Sequence, residues 1–227
     1  DETRSRIAVL SDYGVQTEIV EKSPSISGEE VLKLYELYKN MIQDAEIICA
    51  SGELPRGLPV DIYRDLILMA KDQGKKFILD TSGEALKLGI KASPFLIKPS
   101  RNALEELMGF IMTSEAEMVK AARYITENGV EIAVISLGKN GAIVLYGDYY
   151  YRVNVPSIKA VNPAGAGDAM MAGLAVSLFR DYDFEYVLRI GAACGAANAM
   201  ESEMGKIDMA LMKSIMNEIE IEKRLIW

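Results

Sequence analysis

The sequence predicts an α/β fold built on a largely parallel sheet with helices on both faces. Three observations predict it. Short runs at 47–50 (IICA), 77–79 (FIL) and 132–135 (IAVI) are almost wholly apolar. They alternate with segments of helical periodicity, and turn residues follow their ends. A strand buried on both faces reads as a continuous apolar run, and alternation with helices is the mark of parallel crossover units. In such sheets ligands bind beyond the carboxyl ends of the strands. The loops of interest are therefore 51–59, 80–83, 98–102, 136–141 and 162–168.

Each element follows from its local pattern. Runs 6–10 and 17–20 flank Asp12-Tyr13-Gly14, a hairpin signal. A helix is predicted from about Glu29, with Val31, Leu34, Tyr35, Tyr38 and Ile42 on one face. After the strand at 47–50, a helix carries Ile62, Leu66 and Ala70, the strand at 77–79 ends at Asp80, and 95–97 ends at Lys98-Pro99. Helices are predicted over 102–108 and 115–127, the second with Met118, Ala121, Ala122 and Ile125 inward and a stop at Asn128-Gly129. Strands at 132–135, 143–146 and 149–153 are joined by glycine turns. The last third reads as helices over 167–179, 185–200 and 208–218. No linker or repeat divides the chain, so residues 1–227 form one domain.

Composition narrows the chemistry. The 227 residues include no histidine, which excludes Ser–His–Asp and Cys–His hydrolases and any His-ligated zinc. A general base must then be a carboxylate, Lys, Tyr, Cys or water. Against 33 acidic residues stand 25 Lys and Arg, a net charge of −8, so no general attraction to nucleic acid or an anionic membrane is expected. Cys49 and Cys194 lie in apolar segments and read as buried structural thiols of a reducing compartment. With no membrane-length apolar run and no signal peptide pattern, the expected location is the cytoplasm. The sequence opens Asp1-Glu2-Thr3-Arg4 without Met, the start of a fragment or a processed chain.

Two loops carry chemistry. In Val161-Asn162-Pro163-Ala164-Gly165-Ala166-Gly167-Asp168, Pro163 blocks a preceding helix, the small residues bare the backbone, and Asp168 falls in the first turn of a small-residue helix. Free N–H groups at a helix start suit anionic oxygens; an ordinary glycine turn with Asp168 as a cap is the competing reading. The run is neither a Walker loop nor G-x-G-x-x-G. Ser136-Leu137-Gly138-Lys139-Asn140-Gly141 follows the apolar strand at 132–135. Alone it is a chain reversal; its place at a carboxyl end also suits a nucleotide.

Taken together, in this order, Glu2-Thr3-Arg4, Gln16-Thr17-Glu18-Ile19, Ser51-Gly52-Glu53-Leu54-Pro55, Leu79-Asp80-Thr81-Ser82-Gly83, Lys98-Pro99, the 136–141 turn and the 165–168 run resemble the PfkB (ribokinase-like) carbohydrate kinases. The likeness is greatest to the branch holding 1-phosphofructokinase and tagatose-6-phosphate kinase. It implies a ribokinase-like three-layer α/β/α fold with a mostly parallel central sheet and most of the lid missing. It also implies roles. Asp168 would be the general base on the acceptor hydroxyl, and the N–H groups of Gly165, Ala166, Gly167 and Asp168 the anion hole. Ser136, Leu137, Gly138, Lys139, Asn140 and Gly141 would contact ATP with Lys98, and Asn198 would lie near the adenine. Arg4 would help hold the sugar phosphate, beside Asp168. ATP and Mg²⁺ are the implied cosubstrate and metal, with no residue assigned to the metal; monomer and homodimer are both open.

Three departures from the family pattern stand out. Family members begin well before this chain, so the first strands, a glycine-rich substrate loop and much of the lid are expected ahead of Asp1, with 1–24 a remnant of the lid side. Where the family has Asn-x-x-Glu after Lys-Pro, this chain has Ser100 and Ala103, with Asn102, Glu105 and Glu106 nearby. Where the family has Ser-Gly-Ser-Leu-Pro, Glu53 takes the third place. The expectation is an ATP-dependent kinase acting on a primary hydroxyl of fructose 1-phosphate or tagatose 6-phosphate. The alternative is a non-catalytic nucleotide- or sugar-phosphate-binding member of the same fold.

Overall fold

The structure, a computed structural model, describes residues 3–10 and 16–226. Its first strands, β1 (Arg6–Leu10) and β2 (Gln16–Val20), pair antiparallel with Ile7 opposite Ile19, and form a two-stranded sheet apart from the main one. The Asp12-Tyr13-Gly14 turn lies outside the described residues, as do Asp1 and Glu2.

The main sheet has seven strands whose spatial order is their chain order: β3 (Ile47–Ser51), β4 (Lys76–Asp80), β5 (Leu96–Ile97), β6 (Ile132–Ser136), β7 (Ala142–Tyr146), β8 (Tyr149–Asn154) and β9 (Glu220–Leu225). The connections decide the directions. Helical crossovers α2 (Ile62–Asp72), α3 (Gly83–Ile90), and α4 (Arg101–Met108) with α5 (Glu115–Glu127) join β3 to β6, which run parallel. Tight turns at 137–141 and 147–148 join β6, β7 and β8, and these pair antiparallel, as β8 does with β9. The sheet is thus mixed, parallel in its first half. α1 (Gly28–Met41) precedes it and packs at the periphery of α2; α6 (Ala166–Phe179), α7 (Phe184–Ala199) and α8 (Met209–Glu218) come between β8 and β9.

Alternation along the strands separates two cores. Phe77, Leu79, Ile97, Ala133 and Ile135 face α2, α3, α4 and α5, while Ile78, Leu96, Ile132 and Val134 face α6, α7 and α8. This gives three layers, as the fold class requires. Ser27 with Glu30, and Ser114 with Glu117, close reciprocal capping boxes at the starts of α1 and α5. No helix of the described residues is long and apolar enough to cross a membrane.

Several local expectations are corrected. α3 was not predicted: its eight residues carry a glycine first and another near the end, yet Ala85, Leu86 and Ile90 are buried. β9 was not predicted at all. It is an edge strand in which Glu220, Glu222, Lys223 and Arg224 outnumber the apolar residues, a composition that protects an edge but hides it from periodicity. Leu34 is 38% exposed, because α1 turns only Val31, Tyr35 and Tyr38 toward its neighbours; the two tyrosine hydroxyls donate to Asp65 and to the Leu66 carbonyl. Cys49 is exposed rather than buried: β3 pairs only with β4 among the described residues, so its surroundings are open on the other side. Cys194 is buried as expected.

α6 and α7 pack closely because α7 runs Gly191-Ala-Ala-Cys-Gly195-Ala-Ala at the contact. A Cβ on Gly195 would stand 2.9 Å from the Ala166 carbonyl oxygen and 3.3 Å from the Met170 Cβ, so this glycine sets how near α7 comes to the start of α6. Gly195→Ala is expected to lower stability by about 1–3 kcal/mol through overpacking. Urea unfolding followed by far-ultraviolet circular dichroism measures it; an unchanged midpoint would show that the helices separate there without cost.

Candidate active site

The carboxyl ends of β3, β4 and β5 converge on the start of α6. Gly165 is the N-cap of that helix with a left-handed φ of +82°. The loop before it is tied internally: Asn162 Oδ1 accepts from the Ala164 N–H at 3.1 Å, the Ala166 N–H donates to Pro163 O at 3.2 Å, and the Ala169 N–H to Gly165 O at 2.9 Å. This leaves the N–H groups of Gly165, Gly167 and Asp168 without an acceptor among the described residues. Three such donors at the positive end of a 14-residue helix are an arrangement that suits an anion.

Asp168 lies in the first turn and is exposed. It is not a cap: its Oδ1 accepts a 2.6 Å hydrogen bond from Ser51 Oγ, at the last position of β3, 117 residues away in sequence. Ser51 is itself well placed. The next residue, Gly52, donates its N–H to Asp80 O at 2.9 Å, and its carbonyl accepts from Tyr63 OH at 3.0 Å and Thr81 Oγ1 at 2.8 Å. The end of β3 is therefore pinned to the end of β4, and it holds one carboxylate oxygen of Asp168 while the other stays free for chemistry.

Beneath this loop is a buried ion pair. Lys98, 2% exposed, brings its Nζ within 2.6 Å of Asp80 Oδ2. The same Nζ is 3.4 Å, and Asp80 Oδ2 3.9 Å, from the point that a Cβ on Gly167 would occupy. Burial is the largest influence on Asp80 and raises its pKa; the Lys98 charge and hydrogen bond pull it down, and the nearby Asp168 charge pushes it up, leaving it raised. Removing one partner of such a pair costs about 3–5 kcal/mol, because an unpaired charge stays buried.

The 136–141 turn sits beside the segment that follows Lys98. Ser136 donates its N–H to Pro99 O at 3.0 Å and bridges to Ser100. A cavity of about 450 Å³ is shared by Ser100, Asn102, Ser136, Gly138 and Asn140. Gly138–Asn140 form a 3₁₀ turn closed by Leu137 N–H to Gly141 O at 2.8 Å, and Lys139 is exposed at its tip. On the other side, Asn198 of α7 is fully buried. Its Nδ2 donates to Lys206 O at 3.0 Å; its Oδ1 has no partner and is 3.2 Å from the Cβ position of Gly165. An orphaned buried acceptor beside the loop is what a ligand N–H would satisfy.

The structure thus brings Gly165, Ala166, Gly167, Asp168, Lys98 and Asn198 together, with the 136–141 turn adjoining. Arg4 stands apart, on the chain leading into β1, where its Nη1 donates to Ser23 Oγ at 3.1 Å. The residues around the departed Asn-x-x-Glu pattern are committed elsewhere. Ser100 caps α4 by accepting from the Ala103 N–H, Ala103 is buried, and Glu105 is held by Arg101 and the Met112 N–H. The described residues contain no group of three or more Asp, Glu, Cys or His able to hold a metal ion. The donor set therefore fits only a cation carried mainly by phosphate oxygens and water, which is how magnesium is commonly held. Two residues escaped sequence reasoning. Ser51 and Asp80 were each seen only as part of a motif, with no chemistry assigned; the available signal for both was their place as last residue of neighbouring parallel strands.

Comparison with known proteins bears on the fold and the family. The family model of pfkB family carbohydrate kinases matches residues 1–207. A tagatose-6-phosphate kinase of Staphylococcus epidermidis is 36% identical over 225 residues, covering 97% of this chain and 72% of that protein. Phosphofructokinase-2 from Escherichia coli, in a complex with potassium, superposes with a TM-score of 0.84 at 26% identity, covering 94% of this chain and 70% of that one. A possible 1-phosphofructokinase from Thermotoga maritima has a TM-score of 0.90 at 20% identity and shows the shared fold, over 99% and 72% of the two chains. The anion-binding start of α6, its aspartate, and a match over most of the chain meet in one assignment: this chain belongs to the pfkB family of carbohydrate kinases.

Proposed function

We propose that the protein transfers the γ-phosphoryl group of ATP to a primary hydroxyl of a ketohexose phosphate, tagatose 6-phosphate or fructose 1-phosphate. The observation that carries this reading is the Asp168 carboxylate, fixed by Ser51 at 2.6 Å and set among the free N–H groups of Gly165, Gly167 and Asp168. The tagatose-6-phosphate kinase relative supports the substrate class.

In this mechanism the free oxygen of Asp168 takes the proton of the acceptor hydroxyl as its oxygen bonds to the γ-phosphorus and the bond to the β–γ bridging oxygen breaks. ADP leaves. The three N–H groups donate to the oxygens of the phosphoryl group in flight, where negative charge must be balanced without reorganisation. Lys98, below the loop, keeps the Asp80 charge from opposing the incoming phosphates. The 136–141 turn would meet the nucleotide phosphates, and Asn198 Oδ1 would accept from a nucleotide N–H. Magnesium, when bound with ATP, supplies charge neutralisation between the phosphates. As to self-association, Ile7 and Ile19 are each more than half exposed on the β1–β2 pair, an apolar side that favours the homodimer over the monomer.

The non-catalytic reading is favoured by one observation: Ser100, although it lines the cavity beside the 136–141 turn, uses its hydroxyl to cap α4, and Glu105 is taken up by Arg101 and the Met112 N–H. Saturable ADP binding without ADP formation over a panel of hexose phosphates with Mg²⁺ would select it. Under the kinase reading, Asp168→Asn should lower kcat by about 10²–10⁴-fold with ADP affinity within about threefold of wild type. Turnover near the wild-type rate would remove Asp168 from the role of base. Ser51→Ala should lower kcat by about tenfold or more at nearly constant KM, and Ser51→Thr should restore most of it; a KM effect alone would place Ser51 in binding instead.

A further inference from the structure

Resting on the sugar-phosphate kinase reading, we propose that Arg56 is a second phosphate-holding residue, completing with Arg4 a two-guanidinium clamp on the phosphate that the acceptor already carries. Arg4 reaches Ser23 from one side, its Nη1 donating to Ser23 Oγ at 3.1 Å. Arg56 reaches the same residue from another, its Nη2 donating to Ser23 O at 3.1 Å. Ser23 thus receives both guanidiniums, one on its hydroxyl and one on its carbonyl oxygen, and neither has a carboxylate partner among the described residues. The other contacts of Arg101, Arg152 and Arg224 include glutamates, which consume their charge.

The backbone holds the pair in place. The Ile26 N–H donates to Arg56 O at 2.8 Å, and Gly57 follows with a φ of +92°. A Cβ on Gly57 would fall 2.1 Å from Ile26 O, so only glycine lets the 51–59 loop close on the 23–27 segment. That loop begins at Ser51, which touches Asp168. One short loop therefore runs from the base that would accept the hydroxyl proton to the cation that would hold the far end of the same molecule. Charge points the same way. Glu53 is exposed in this loop and would repel a dianion; Arg56, three residues on, cancels that charge locally. Paired guanidinium forks match the oxygens of a phosphate better than a single point charge does.

The test uses Arg56→Ala and Arg56→Lys. The KM for tagatose 6-phosphate should rise by about ten- to a hundredfold in R56A, with kcat and the KM for ATP within about threefold; R56K should fall between R56A and wild type. The KM for unphosphorylated tagatose should not change, which separates loss of the phosphate contact from general damage. Binding of inorganic phosphate, followed by calorimetry, needs no turnover: wild type should bind it about tenfold more tightly than R56A. A KM for the sugar phosphate within about twofold of wild type in R56A, equal phosphate affinities, or no phosphate binding by wild type overturns the clamp. Phosphate binding that depends on Arg56 in a protein forming no ADP from any sugar phosphate supports the clamp and overturns only the kinase reading.

Discussion

The ion pair between Lys98 and Asp80 is the constraint on which the rest of the site depends. It sits where the carboxyl ends of β4 and β5 meet the underside of the α6 loop. An anion-binding loop cannot tolerate an uncompensated carboxylate directly below it, and Asp80 cannot be moved, since its carbonyl anchors Gly52 and so the end of β3. Lys98 answers both demands. Its charge offsets Asp80, and its burial keeps the ammonium from being spent on solvent. The cost is desolvation of two charges, recovered only because their separation is 2.6 Å.

Above that pair, distance is set by small residues. Gly167 lies directly over Lys98 Nζ, Gly195 lets α7 approach Ala166, and that approach carries the unpartnered Oδ1 of Asn198 up to Gly165. The loop is thus supported from below by a cation and from the side by a helix, while its outward N–H groups stay unused. Preorganised donors of this kind need no rearrangement when charge develops on a transferred group, which is why a fold without histidine loses nothing for this chemistry.

How much of this was legible in the sequence depended on how local the signal was. The 115–127 helix was readable because apolar spacing and a terminal Asn-Gly lie within one segment, and the structure adds a serine cap at its start. The 165–168 loop was readable because bare backbone followed by an aspartate is a local statement about N–H groups. The resemblance added the order of motifs and hence the three layers. What failed was non-local. The bond from Ser51 to Asp168 spans 117 residues and leaves no periodicity. The exposure of Cys49 depends on β3 having a single neighbour among the described residues, a property of the sheet and not of the IICAS segment. β9 is written in charged residues that stabilise an edge by pairing backbone with β8, and a hydrophobic pattern cannot see it.

Ser100 shows how a departure from a family pattern acquires a physical meaning only in the structure. By position it stands where a metal-organising asparagine is expected; by contact it is the N-cap of α4, its hydroxyl oxygen accepting from the Ala103 N–H. Glu105, one turn further, faces Arg101 and the Met112 N–H, while the exposed Glu106 turns toward Gly83, its Oε1 3.4 Å from the position a Cβ there would take. In the proposed kinase reading, a divalent cation would therefore be held mainly by the nucleotide phosphates and water. Chemistry in such a site rests on backbone N–H groups, a buried lysine and one aspartate. Under the proposed reading, a chain of net charge −8 would meet phosphates through the start of α6 and the arginines at Ser23, with Lys98 offsetting Asp80 beneath, and not through positive potential spread over its surface.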